Sequence, residues 1–314
     1  MTSAVDTSEV FLSQIKESPT FKKDNFIVTL ELQDPSPELQ EIARNELREL
    51  PEIVQPAIDE LRALLKEDEE ITCPHENNAW LVRFLRPTKF YPESAHKLIK
   101  NYYSFKVKHK DLYNGLKPSK EENVFHHNVL YVLPLRDNKG RRILVLELGK
   151  NWKHKKVCLD EVFKGAVLFL EAAMLEPTSQ IAGAQVIFDM DGLSLQQAWQ
   201  FTPTFAKRIV DWLQDSVPIR VKGIHVVNQP TIFNMVFALF KPLLREKLKN
   251  RIIFHGTDRD SLHKHLNPEC LPETYKGTMD IPLVTGEEWL SVLKTMDEEY
   301  EAISQYGFKS KPKK

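Results

Sequence analysis

Hydrophobic and polar positions divide the chain into two rhythms. From Pro37 to about Gly115 the spacing is helical. Leu47, Leu50, Ile53, Val54, Ile58, Leu61, Leu64 and Leu65 recur at steps of three, four and seven, marking one apolar stripe. Pro51 and Pro56 predict a break into two helices, because an interior proline removes a hydrogen bond and crowds the preceding turn. A second helical block starts near Asn78 and contains Ala79 to Arg86. Pro92 starts a third, with Ala95, Leu98, Ile99 and Tyr102 inward. Beyond this module the rhythm changes. Val129–Leu135 and Arg142–Leu148 read as strands joined by the turn Asp137-Asn138-Lys139-Gly140. A helix over Leu159–Leu175 and a buried strand over Ala184–Asp189 follow. Next come a helix over Pro203–Gln214, a strand over Val221–Val227, a very apolar helix over Thr231–Phe240, a basic helix over Leu243–Asn250 and a strand over Ile252–His255. Strands alternating with helices predict an α/β sheet with right-handed crossovers.

The flanks are less regular. Residues 1–20 are polar and aperiodic and read as a mobile tail, and Phe26–Leu32 as a short strand or packed arm. Residues 286–314 read as a C-terminal helix with a basic end. The expected organisation is a tail and arm over 1–36, a helical domain over 37–115, a sheet domain over 120–285 and the C-terminal helix and tail over 286–314. No internal repeat is evident.

Composition narrows the class. Hydrophobic residues make up 42% and charged residues 28%, a globular balance. A net charge of −1 excludes whole-chain attraction to nucleic acid. Cys73, Cys158 and Cys270 are too few and scattered for a disulfide framework or a zinc site, which fits a reducing compartment. The longest apolar stretch, Thr231–Phe240, is half the ~20 residues a membrane span needs. Secretory, myristoylation and prenylation signals are not seen, so the expectation is a cytoplasmic monomer without a covalent anchor.

The small net charge hides an asymmetry. Residues 1–72 hold 17 acidic and 7 basic side chains, a net of −10; residues 206–255 hold 9 basic and 3 acidic, a net of +6. Each run reads as a solvated helix face or, for the second, as an anion-binding face.

Familiar catalytic signatures are missing. Eleven glycines include no Gly-x-Gly, which removes the dinucleotide fingerprint, and no P-loop is present. His126-His127 and His263-x-His265 are weak as metal motifs. Gln185 to Leu195 resembles the first motif of haloacid-dehalogenase-type phosphatases, where Asp189 would be nucleophile and Asp191 general acid/base. Three features oppose that reading: 188 residues precede Asp189, Leu193 stands where Thr or Val is usual, and Asp258/Asp260 is a poor metal-holding pair. Capping a strand-to-helix turn is the simpler role for both aspartates.

The informative segment is 201–256. Within it Thr231–Phe240 carries eight apolar residues in ten, which cannot all face one core from a single stripe. Asn228-Gln229-Pro230 and Lys241-Pro242 bracket it as a separate unit. Arg220 and Lys222 alternate with Val221 along a strand, so the cations share one side and Val221 takes the other. Taken with Leu81-Val-Arg-Phe-Leu-Arg-Pro-Thr-Lys-Phe90 and Phe188-Asp189-x-x-Gly192, this segment closely resembles the CRAL-TRIO lipid-binding family, in its tocopherol- and retinaldehyde-binding subgroup, over roughly residues 40–285.

The resemblance implies a CRAL-TRIO sheet with a helical lid over an apolar cavity, no enzymatic activity, and no cofactor beyond a bound hydrophobic lipid such as a tocopherol, retinoid or carotenoid. It implies a pocket of Phe163, Ala166, Val167, Leu170, Val186, Phe188, Leu213, Val217, Ile219, Val221 and Ile224. The lid would be Ile232, Phe233, Val236, Phe237 and Phe240. Arg220, Lys222, Lys247 and Arg251, with Lys249 nearby, match the family's contacts to phosphoinositide phosphates at membranes. Thr88, with Lys89 adjacent, replaces an Arg of that set. The family's retinaldehyde binder has Tyr and Glu where this chain has Ala166 and Phe188. Its tocopherol binder has serines at Ala166 and Leu170. A more apolar pocket is therefore expected, favouring a ligand with few deep polar atoms. The rival on the same fold is a phosphoinositide-binding trafficking adaptor or lipid sensor.

Overall fold

The computed structural model describes residues 18–309. The expectations for the tail (1–17) and the basic end (310–314) lie outside the described residues. The hairpin β1 (Thr20–Lys23) and β2 (Phe26–Thr29) opens the fold, so the arm is a strand and its partner begins inside what reads as tail.

The helical module contains α1 (Pro37–Leu47), α2 (Pro51–Glu67), the two-residue strand β3 (Ile71–Thr72), α3 (Asn78–Leu85) and α4 (Pro92–Lys108). Ser36 caps α1 by accepting from the Leu39 amide, and Asn77 caps α3 by accepting from the Trp80 amide. Prolines open α1, α2 and α4, where the missing N–H costs nothing. The expected break into two helices falls before Pro51, and Pro56 adds no second break. It lies in the second turn of α2, where it forgoes a single intrahelical bond, and burial of Ala57, Ile58, Leu61 and Leu65 outweighs that loss.

The sheet has the order β4-β5-β6-β7-β8: β4 (Leu130–Val132), β5 (Arg142–Glu147), β6 (Ala184–Asp189), β7 (Val221–Val227) and β8 (Ile252–Gly256). β4 runs antiparallel to β5, and the other pairs are parallel. Helix α5 (Leu159–Leu175) connects β5 to β6. Helix α6 (Pro203–Asp211) connects β6 to β7 and continues into a π-helical turn, Trp212–Ser216, rather than ending as regular helix at Gln214. Between β7 and β8 stands α7 (Phe233–Phe240). The basic stretch after it is a 3-10 turn (Lys241–Leu243) and a single helical turn (Glu246–Lys249), not a helix over Leu243–Asn250.

The C-terminal part is two helices, α8 (Gly286–Lys294) and α9 (Asp297–Ser304), and a short strand, β9 (Gly307–Phe308), that pairs with β3. The seam it closes holds an ionisable group under strain. Glu299 is 3% exposed, and neither carboxyl oxygen has a hydrogen-bond partner among the described residues. Burial pushes its pKa up to about 7, and the Arg83 charge opposes this only in part. The folded chain therefore holds a proton that the unfolded chain has already lost between about pH 4.5 and 7, so this group lowers stability as pH rises through that window. At 1.36 kcal/mol per pH unit the penalty reaches about 3 kcal/mol above pH 7. Glu299→Gln is expected to raise the thermal midpoint by several degrees at pH 8 and to leave it nearly unchanged at pH 5, measured by calorimetry at both.

Candidate functional site: an apolar cavity behind a short helix

Residues of even number on β5, β6 and, from Ile224 on, β7 face one side of the sheet, and the register shift beside Ala184 puts Val221 on that side too. The register aligns them in rows: Leu144, Val186, Ile224 and Ile252 across four strands, and Leu146, Phe188 and Val226 across three. The α5 face with Phe163 and Ala166, the half-buried Phe205 and Ile209 of α6, and the inner face of α7 roof these rows. They enclose a cavity of about 150 Å3 lined only by apolar and aromatic side chains. A second chamber of about 90 Å3 adjoins it, lined by Leu170, Val217, Ile219 and Val221 among others. The chambers share Leu144, Ala166, Val186, Trp212 and Leu213 as their common wall. Trp212 and Leu213 belong to the π-helical turn, a backbone irregularity that often marks functional positions.

Of the expected pocket residues, Phe163, Ala166, Val186, Phe188, Leu213 and Ile224 line the first chamber. Ala166, Leu170, Val186, Leu213, Val217, Ile219 and Val221 line the second. Val167 lines neither. One residue on from Ala166, it falls about 100° round α5 and is buried in the general core. Phe233, Val236, Phe237 and Phe240 of the lid face the cavity, but Ile232 does not. It occupies the position just before α7 and packs half-buried at the edge of the core. The lining residues missed include Leu144 and Leu146 on β5, Leu148 just after it, and Phe205 and Ile209 on α6. Their signal was present as period-two alternation and i, i+4 spacing.

The lining is apolar except at one end. Arg142 and Glu176 line the second chamber. Glu176 is 1% exposed, pairs with Arg136 Nη2 at 2.9 Å, and accepts from Arg142 Nε at 3.2 Å and from the Glu31 amide at 3.0 Å. Burial alone would raise its pKa, but the charges of Arg142 and Arg136 outweigh that and hold it at about 2.

The outer surface of α7 is largely apolar too, with Met235 and Ala238 exposed beside Asn234. Met235 is 52% exposed, and Phe254 of β8 leans on the lid with its ring 4.8 Å from that of Phe237. The short helix Leu195–Ala198 packs against α7, and there Leu195 and the adjacent Trp199 are exposed, Trp199 to 64%.

Arg220 and Lys222 lie on one side of the strand and Val221 on the other, as alternation requires. The charges of Arg220 and Arg251 act on Lys222, and that of Arg220 on Arg251, so these three form one cluster. Gly183, at φ +87°, permits the approach of the Arg220 carbonyl, which a Cβ there would meet at 2.2 Å. Lys247 and Lys249 sit exposed on the single turn Glu246–Lys249 and form no ion pair among the described residues. Arg251 lies beyond the end of that turn, so Lys247 and Arg251 do not share a helix face as their four-residue spacing implied.

Both Asp189 oxygens accept hydrogen bonds. Oδ1 accepts from the Asp191 amide at 3.0 Å and from Asn228 Nδ2 at 2.8 Å, and Oδ2 accepts from the Tyr275 hydroxyl at 3.1 Å. Asp191 pairs with Lys150. For Asp189 that is the turn-stabilising role. His263 bonds the Tyr275 carbonyl, whereas the His265 ring lies tilted against those of His225 and His255, so the two do not converge. Among the described residues no group of three His, Cys, Asp or Glu side chains is placed to hold a metal ion, and no helix is long and apolar enough to cross a membrane.

Comparison with known proteins accords with this geometry. The CRAL/TRIO domain model matches residues 126–277. A human protein named alpha-tocopherol transfer protein-like is 34% identical over 259 residues, covering 82% of this chain and 75% of its own length. Human clavesin-2 is 32% identical over 277 residues, covering 88% and 83%, and clavesin-1 of Pongo abelii is 33% identical over 246 residues, covering 78% and 69%. The solved structure of Sfh5 overlays 82% of this chain and 97% of its own with a TM-score of 0.44 at 14% identity, too loose a likeness to carry weight. A relative one-third identical across most of both chains, together with the matched domain, establishes that this chain belongs to the CRAL-TRIO family.

Proposed function

We propose that the protein is a carrier that holds one hydrophobic molecule between the sheet and α7, shields it from water and exchanges it at membranes carrying phosphoinositide. The observation that carries this reading is the pair of adjoining chambers, the first wholly apolar, closed by a helix that is largely apolar on its outer surface as well. A core helix has no reason to show Met235 to solvent beside Trp199 and Leu195; a lid that enters a lipid surface does.

Ligand pockets usually span ~300–1,000 Å3, so a lipid-sized occupant must widen these chambers by parting their shared wall at Trp212 and Leu213. The apolar lining favours a cargo with its polar atoms few and confined to one end. The Arg142–Glu176 pair is where such an end would find partners.

Arg220 and Lys222 would dock on headgroup phosphates, where converging cations gain most from multivalent charge. They flank Val221, and Val217, Ile219 and Val221 wall the second chamber, so one segment joins the docking site to the cavity. The tested expectation is transfer of a fluorescent apolar lipid between vesicles. The double variant Trp199→Ser/Met235→Ser should slow transfer several-fold while cargo binding in solution stays as in wild type. Unchanged transfer would contradict insertion of this rim.

A further inference from the structure

The cation cluster already holds an anion of the chain's own. Glu46, near the end of α1, places Oε2 at 3.1 Å from Arg220 Nη1 and 3.2 Å from Lys222 Nζ. One oxygen bridging two cations is the arrangement a phosphate oxygen would take there. We infer that Glu46 is a built-in competitor that occupies the headgroup site and must leave before a membrane phosphate can enter, so that it sets the affinity of docking. This rests on the reading of Arg220 and Lys222 as phosphate-docking residues.

Three observations make the contact reversible rather than structural. The Glu46 side chain is 50% exposed, so leaving the site returns it to water at small cost. Helix α1 is held by a small apolar cluster of its own, Ala43 and Leu47 against Ile181 with Leu39 and Ile42 around them, separate from the main core. The two guanidiniums keep anchors independent of Glu46, because Arg220 and Arg251 also donate to the Ile181 and Val221 carbonyls. The electrostatics agree in direction. Burial raises the Glu46 pKa and its two cationic partners more than reverse this, while Lys222 is lowered by burial and by Arg220, with Glu46 opposing.

A tethered carboxylate lowers the affinity of every ligand that must displace it by one common factor. It also replaces the counterions that a bare cluster would release, so the salt dependence of docking should be shallower with Glu46 than without it.

The test is co-sedimentation with phosphatidylcholine vesicles containing a few mole per cent of a phosphatidylinositol bisphosphate, at several salt concentrations. Glu41→Gln is the control, since Glu41 lies on the same helix and pairs with Arg44 instead, so the net charge changes equally away from the site. Glu46→Gln should tighten binding about three- to tenfold and steepen its salt dependence, and Glu41→Gln should move it less than about twofold. Soluble inositol bisphosphate should show the same gain. Equal effects of the two variants, or no effect of Glu46→Gln while Arg220→Glu/Lys222→Glu still weakens binding, would overturn the competition and leave docking intact. Binding insensitive to Arg220→Glu/Lys222→Glu would overturn docking itself, and the competition with it.

Discussion

Replacing Glu176 with Gln is expected to cost about 3–5 kcal/mol of stability, the loss that follows when a buried ion pair is broken from one side. Glu176 is the shared counter-charge of two buried guanidiniums. Arg136 Nη2 lies 2.9 Å away, and Arg142 bonds it through Nε and Nη2. Glu31 answers Arg136 at 2.7 Å but stands 3.6 Å from Arg142, so it cannot take over both roles. The amide of the variant keeps the shape and one acceptor and removes the charge, leaving two cations beside an apolar chamber. The pH dependence is a second check. The Glu176 pKa is lowered to about 2, so its contribution is fully present above the ordinary carboxylate range and is lost only as pH falls toward 2. The difference between variant and wild type should therefore be flat from pH 5 to 8. Chemical denaturation across that range measures it. A loss below about 1 kcal/mol would mean that the network adds little, and that the polar end of the second chamber could be remodelled freely.

Reversing the charge of Arg220 and Lys222 together is expected to reduce transfer to phosphoinositide vesicles by more than tenfold while cargo occupancy in solution stays as in wild type. Both side chains lie on the outer side of the strand and Val221 alone of the three faces the chamber, so the substitutions alter the docking surface without touching the lining. Two glutamates facing Glu46 and a membrane phosphate turn attraction into repulsion, and removal of the Glu46 pairing adds a small destabilisation of α1. Equal loss of occupancy and transfer would show that the residues act through folding. Unchanged transfer would show that the cluster does not dock.

Much of the fold could be read in the residues, for physical reasons. β5, β6 and β7 are short apolar runs bounded by turn residues, and their spans match the expected ones nearly residue for residue. The failures share a cause, because local pattern was overridden by packing. Pro56 sits inside a helix since tertiary burial exceeds one lost bond. The 243–250 stretch has helical composition but is pulled into separate turns where Leu248 is buried against β7, together with Val221 and Ile224. β9 is invisible locally because two residues become a strand only by pairing with β3, more than 230 positions away.

The site was legible to a similar depth. Alternation correctly divided Arg220 and Lys222 from Val221, and the excess of apolar residues in Thr231–Phe240 marked a helix with two apolar faces. Helical spacing alone did not separate Val167 from Ala166. No sequence pattern revealed that Arg142 and Glu176 meet at the chamber's end or that Glu46 reaches the cations. Those contacts join residues 34 and more than 170 positions apart, and only the folded chain brings them together.

The most direct measurement is mass spectrometry of the organic extract of the protein purified from its native source. The carrier account predicts one apolar lipid at close to one molecule per chain, its polar atoms few and at one end. An extract with no lipid above background would contradict that account and favour a sensor whose ligand is the headgroup at Arg220 and Lys222.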